Sequence, residues 1–317
     1  MATYNGERYI AEAIESVLKQ SYTHFEFIIV DDGSTDATAD IVASYSDARI
    51  VYLKKDINSG IADSLNLGIS KARGVYIARM DDDDVCTPNR FEEQLKIFEY
   101  NPELIVCGTS TLLDHDKKKY YPETHDDIKM NLLFTNPITH PTVMIKKAVF
   151  TDFKYNPDFV PSEDYDLWTR LIFEGQFYII QSPLLYYRYR KDSETSSRRK
   201  EQLQLNAKLS LAFFKRLELD VLNGSYEFIR IFASRDYSIS GSTLREFIIW
   251  FDNLKQLNFE RHLFSAQRFN VIVEQHLETF LIQYFTNRTL YKKLVPFLYL
   301  SFKYKRFIMN YYLNKLF

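Results

Sequence analysis

The first 110 residues alternate between two hydrophobic periods. Within residues 7–20, Ile10, Ile14, Val17 and Leu18 recur at helical spacing. "FEFIIV", residues 25–30, is a short continuous apolar run and reads as a buried strand. It ends at "DDGSTD", where Gly33 turns the chain and Ser34 or Thr35 can cap a helix over 37–45. "RIVYL" is the next strand. "NSGIADSLNLGISKARG" reads as a turn, a helix and a stop at Gly74. "VYIARM" is a further strand, and a helix over 90–100 follows Pro88. Strands alternating with helices predict an α/β fold with an open, mostly parallel sheet and flanking helices. Beyond residue 104 the pattern loosens. "LIVCGTSTLL" reads as a strand, "HPTVMIKKAVF" as a strand running into a short helix, and "SEDYDLWTRLIFEG" as a loop entering a helix. "FYII" and "LLYYRYR" read as two more strands. The polar stretch 191–200 is the candidate boundary between a domain over 1–190 and a helical region over 201–317.

Composition narrows the class. The hydrophobic content of 46% supports a real core, and a net charge of −2 gives no case for nucleic acid. Cys86 and Cys107 make neither a disulfide framework nor a metal motif and read as small core residues. No apolar run reaches the roughly 18 residues of a membrane span, and the start lacks a signal-peptide pattern. These features predict a cytoplasmic protein.

Ligands of open α/β sheets sit beyond the carboxyl ends of the strands. That rule brings Asp31 and Asp32 to the same rim as the run Asp81–Asp84. Two carboxylates about 4 Å apart repel by about 1 kcal/mol in water, and about 4 at an effective dielectric near 20. A divalent cation is the usual compensation, and Mg²⁺ or Mn²⁺ prefers oxygen ligands shared with phosphates. Asp81 and Asp83 point the same way in extended backbone. Alternatively, the run is a solvated acidic turn, and Asp84 a favourable acid ahead of the next helix. "SED" likewise reads as an N-cap at Ser162 with acids in the first turn, or as a reactive pair.

The segments "TYNGERYIAEAIESVLKQSY", "FIIVDDGSTD", "NSGIADSLNLGI", "ARMDDDDVCTPNRFEEQ" and "SEDYDLWTRL" together resemble the family 2 glycosyltransferases with the GT-A fold, in the family's order over roughly residues 2–190. The resemblance implies inverting transfer of a sugar from a nucleotide donor, most often UDP-linked, with Mn²⁺ or Mg²⁺. It matches Thr3 and Tyr4 to the lining of the base pocket and Asp32 to the carboxylate that bonds the base. Asn66 is a further candidate at that rim. Asp81 and Asp83 match the metal pair, with Asp82 in the variable middle. Asp164 matches the catalytic base, with Glu163 as alternative base or sugar contact. His140 is a candidate metal or phosphate ligand, the other reading being structural. Arg190, with Arg188, is a candidate for the diphosphate or an edge-strand charge.

The resemblance also implies an apolar first strand leading into "TYN", and here Met1 and Ala2 are all that precede it. The first strand is therefore expected to be truncated. The readings are a start assigned too late, a truncation, or an inactive nucleotide-binding remnant, and the first is favoured. At the other end, Lys303, Arg306, Asn310 and Asn314 share one helical stripe in a basic, aromatic segment. Such a helix either lies on an anionic membrane or buries its apolar face on the domain. The expected partners are a nucleotide-sugar donor and a glycan or lipid-linked acceptor. By analogy with the family, the expected setting is bacterial surface-polysaccharide synthesis.

Overall fold

A computed structural model of the chain describes residues 1–113, 117–190, 197–286, 296–297 and 300–313. The strands are β1 (Ala2–Thr3), β2 (Phe27–Asp31), β3 (Ile50–Lys54), β4 (Tyr76–Ala78), β5 (Val85–Cys86), β6 (Leu104–Leu113), β7 (Lys117–Lys119), β8 (Met144–Lys146) and β9 (Gln176–Tyr186). The helices are α1 (Ile10–Leu18), α2 (Thr38–Ala43), α3 (Ile61–Lys71), α4 (Arg90–Tyr100), α5 (His125–Asn131) and α6 (Glu163–Leu171). Beyond them come α7 (Arg199–Arg216), α8 (Ser225–Ala233), α9 (Gly241–Arg261), α10 (Ala266–Thr286) and α11 (Phe302–Leu313).

The chain divides into two compact units. One comprises Met1–Ile128 with Asn136–Gln202, the other Lys129–Thr135 with Leu203–Phe317. The short segment Lys129–Thr135 thus joins the C-terminal helices, which a division at 190/201 does not anticipate. Its reason is aromatic packing. The Phe134 ring meets Phe214, Phe232, Phe251 and His276, and ring pairs of this kind stabilise beyond their buried area. Most of the proposed boundary, residues 191–196, lies outside the described residues.

In the first unit β1, β2 and β3 form a parallel sheet in that order, joined through α1 and α2. A second sheet runs β4-β8-β6-β9-β5, with β7 on β6. Its longest pairing, β6 with β9, is parallel, and the shorter ones are antiparallel. "FYII" and "LLYYRYR" turn out to contribute to one strand, β9. The ladder steps from Thr109 opposite Ile180 to Ser110 opposite Pro183. Pro183 has no N–H to give the ladder, so a bulge carries the strand past it. Ile10, Ile14 and Val17 of α1 are buried as their spacing predicts, with Phe27 and Ile29 of β2 in the same core.

The first strand is as short as the sequence predicts. β1 pairs with β2 but not with β4, so the two sheets are not hydrogen-bonded to each other. A cavity of about 340 Å³ lies there, lined by Ile28 and Val30 of β2, Ile77 and Ala78 of β4, Leu65 and Gly68 of α3, and Phe91 and Leu95 of α4. β1 still places Thr3 at the strand ends, opposite Asp31.

Candidate active site

The acidic run lies between β4 and β5, and α4 fixes it from behind. Arg90 and Gln94 of α4 are both 0% exposed. Arg90 donates to the carbonyls of Arg79 at 2.8 Å and Val143 at 3.2 Å. Gln94 donates to the carbonyls of Cys107 and Thr142 and accepts from Arg90. Polar residues four apart on one buried helix face thereby tie the ends of β4, β6 and β8 together.

Carboxylate oxygens of Asp81, Asp83 and Asp84 lie within 4.8 Å of one another. Asp83 pairs with Arg190 at 2.8 Å and Asp81 with Arg79. Asp84 is fully buried. One of its oxygens accepts the Arg188 N–H at 2.9 Å, and the other, Oδ2, has no hydrogen-bond donor. Asp84 is therefore not part of a solvated helix start. Asp82 accepts from the Thr3 hydroxyl at 2.5 Å, which ties the first motif to the acidic run. Burial and the neighbouring Asp81 charge push the Asp83 carboxyl up to about 7. Burial also raises Asp82 and, with Asp81 and Asp83, lifts Asp84 well above the usual range. An oxygen-only donor set, crowded negative charge and an orphaned buried oxygen fit a hard divalent cation.

The base-pocket candidates sit on two interlocked loops. Asn5 accepts from the Thr35 N–H and donates its own N–H to Ser34 Oγ. Glu7 accepts from the Ala37 N–H, and its own N–H donates to Asp36. Tyr4 is 48% exposed and Thr3 is buried. The Asp32 carboxylate receives Lys55 at 2.5 Å and the N–H groups of Ser59 and Gly60 at 3.0 and 2.8 Å. Burial would raise its pKa, but these donors outweigh burial and lower it. Asp32 thus anchors the loop ahead of α3 as well as facing the rim. Asn66 does not face outward. Its side-chain amide donates to the Tyr155 carbonyl at 2.8 Å and accepts the Tyr155 N–H at 3.0 Å, a two-point clamp on that backbone.

Asp164 opens α6. It accepts the Asn136 side-chain amide at 2.7 Å and the Tyr165 N–H at 2.7 Å. Burial raises its pKa to about 6, against the lowering effect of these donors. Glu163 beside it is buried. His140 is not brought into the carboxylate group. Its Nε2 meets the Tyr155 hydroxyl at 2.7 Å, its ring lies 6.0 Å from Trp168, and burial with the nearby Arg79 holds it neutral. Its Nε2 is engaged within an aromatic pocket rather than at the carboxylates.

Several site residues were not legible beforehand. Asn136 and Lys55 stand in stretches without any pattern. Arg79 did carry a signal, since a lone cation in the apolar run "VYIARM" calls for a buried counter-charge.

Residues 1–156 match the family model described as glycosyl transferase family 2. An uncharacterized glycosyltransferase of Methanocaldococcus jannaschii is 35% identical over 213 residues, 64% of this chain and 73% of its own length. The putative glycosyltransferase EpsE of Bacillus subtilis is 35% identical over 239 residues, 71% of this chain and 84% of its own. Among solved structures, Staphylococcus aureus TarS 1–349 in complex with UDP-GlcNAc superposes with a TM-score of 0.58 at 16% identity, covering 99% of this chain and 90% of that one. The Pyrobaculum calidifontis mannosyltransferase in complex with GDP-Man and Mn²⁺ gives 0.53 at 14%, covering 91% and 86%. The fold is that of a GT-A glycosyltransferase, an enzyme class with its site at the strand ends. The chain belongs to glycosyl transferase family 2.

Proposed function

We propose that this glycosyltransferase moves a sugar, with inversion, from a UDP-linked donor to a hydroxyl of a glycan or lipid-linked acceptor. The observation that carries the reading is the pairing of two unlike carboxylate environments. One is the Asp81, Asp83 and Asp84 group with its orphaned oxygen. The other is Asp164, in the first turn of α6 and oriented by Asn136. The TarS complexes with UDP and UDP-GlcNAc support a UDP donor, and the Mn²⁺ of the mannosyltransferase supports a metal.

Asp81, Asp83 and Asp84 would hold Mn²⁺ or Mg²⁺. A bound divalent ion supplies charge neutralisation at the leaving diphosphate. Asp164 accepts the proton of the acceptor hydroxyl as its oxygen forms a bond to the anomeric carbon. The bond from that carbon to the diphosphate oxygen breaks on the opposite face, and its electron pair leaves with the nucleoside diphosphate. No covalent enzyme intermediate is involved. A carboxyl with a pKa near 6 is mostly ionised at neutral pH and still basic enough to take the proton. Glu163 contacts the sugar hydroxyls, and Tyr4 and Asp32 flank the base. Arg190, now on Asp83, would bind the diphosphate as a bidentate partner. Thr3 holds Asp82 despite the short first strand, which supports a working enzyme over an inactive remnant.

The setting we infer is bacterial surface-polysaccharide synthesis at the inner face of the cytoplasmic membrane, with α11 as a peripheral contact. Exposed Lys303, Arg306 and Met309 support that contact. Against it, Tyr304 and Ile308 are already buried. A panel of nucleotide sugars, assayed for nucleotide release with Mn²⁺ and candidate acceptors, tests the function. UDP-linked donors should be consumed by the wild type and not by Asp164→Asn. Equal rates for both would overturn the assignment of the base.

A further inference from the structure

The acidic rim carries cations of its own. Arg79, two residues before Asp81, is 7% exposed, and its Nη1 forms an ion pair with Asp81 Oδ2. Its backbone is fixed on both sides. The N–H donates to the Val143 carbonyl at 2.9 Å, and the carbonyl accepts from Arg90 at 2.8 Å. Arg190 pairs with Asp83 from the other direction and is more exposed, at 28% for its side chain. Both pairs use carboxylates of the candidate metal group.

A guanidinium does not lose its proton to make room for another cation. A metal ion at Asp81, Asp83 and Asp84 would therefore sit beside a fixed positive charge in a poorly screened setting, where like charges repel strongly. Arg190 has an exposed route away from Asp83, and Arg79 has none. A diphosphate would change the balance, because its negative charge offsets the guanidinium.

We propose that Arg79, with Arg190 as its outer partner, is a resident counter-ion that keeps metal binding by the carboxylates weak until the diphosphate arrives. Arg79 is a positioning residue here, acting through its ion pair with Asp81. The proposal rests on the metal site described under the proposed function. It explains why the fold places a buried arginine against a carboxylate that the chemistry reserves for a metal, and it makes entry of metal and nucleotide cooperative.

The test is Mn²⁺ titration of the full chain, read by the electron paramagnetic resonance signal of free Mn²⁺, with and without UDP. Wild type should bind Mn²⁺ weakly alone and more tightly with UDP. Arg79→Met should tighten Mn²⁺ alone by about tenfold or more, and the gain from UDP should shrink. Arg79→Lys, which keeps the charge, should behave as wild type. Should Arg79→Met fail to fold, Arg190→Gln should tighten Mn²⁺ alone in the same sense. A folded Arg79→Met, or in its place Arg190→Gln, with unchanged or weaker Mn²⁺ affinity would overturn the proposal. Wild type that binds no Mn²⁺ even with UDP would instead overturn the metal site itself, and the proposal with it.

Discussion

Asp164 and the acidic run place one residue type in two unlike surroundings. Asp164 is raised to about 6 by burial, tempered by Asn136 and the Tyr165 N–H. A general base acts only when deprotonated, so kcat/KM should fall as pH drops through about 6 and level off above it. A rate unchanged down to pH 5 would contradict the assignment. The linkage to stability has the opposite sense. Asp83 and Asp164 hold their protons more tightly folded than unfolded. These two carboxyls therefore stabilise the native state most in acid, a contribution lost as pH rises through about 6 and about 7. Thermal melts from pH 4.5 to 8 should show that contribution as a difference between wild type and the double variant Asp83→Asn with Asp164→Asn, and Mn²⁺ with UDP should flatten it. Asp84→Asn should weaken Mn²⁺ binding as much as Asp83→Asn does, since each removes one carboxylate of the group. An Asp84→Asn protein with wild-type affinity would return Asp84 to a structural role.

At the scale of elements, the strand–helix alternation was plain because period 2 and period 3.6 differ so strongly. The buried faces of α1 and β2 follow directly from Ile10, Ile14, Val17, Phe27 and Ile29. The rim motifs were legible because each follows an apolar strand, and Thr3 bonded to Asp82 shows that two of them meet. What hid was tertiary. Asn66 lies on the predicted helix, yet whether it faces a nucleotide or clamps Tyr155 depends on a segment 89 residues away. His140 reads as a ligand or as a structural histidine, and its contacts with Tyr155 and Trp168 show only in the fold. The single strand β9 was split in the reading because Pro183 interrupts an otherwise apolar run. Arg90 and Gln94 look like surface residues of an amphipathic helix, and only the strand carbonyls they reach explain their burial. Gln94→Leu would leave the Cys107 and Thr142 carbonyls without this donor. It should cost about 2–6 kcal/mol, at about 1–3 for each of the two buried carbonyls abandoned, read as a lower denaturant midpoint. The cavity between β2 and β4 makes a second prediction. Five apolar residues fused ahead of Met1 should raise Tm, whereas five alternating acidic and basic residues should not. An equal response to both would mean the cavity does not accept a strand.

The whole molecule combines a catalytic unit of recognisable family with a helical unit that the aromatic-rich C-terminal sequence builds. In that second unit Phe247, Phe251, Phe269 and Phe280 are all buried. Glu274 of α10 gathers Lys255 and, from α11, Lys303 at 2.7 Å and the Tyr304 hydroxyl at 3.2 Å. Among the described residues no helix is long and apolar enough to cross a membrane. Sedimentation with anionic vesicles should separate the two uses of α11. Lys303→Glu with Arg306→Glu should abolish binding that the parent shows, and a parent that stays in solution would discard the membrane contact. Asn314, the last member of the predicted stripe, lies outside the described residues. A thermal melt of this chain alone, with UDP, with Mn²⁺, and with both tests the proposed nucleotide–metal site at Asp81, Asp83 and Asp84. Ligand at 100 times its dissociation constant adds roughly 2.7 kcal/mol, and a domain of about 150–250 residues gains about 2–4 °C per kcal/mol. A rise of several degrees that needs UDP and Mn²⁺ together is the predicted result. A folded protein whose Tm ignores the pair would contradict the site.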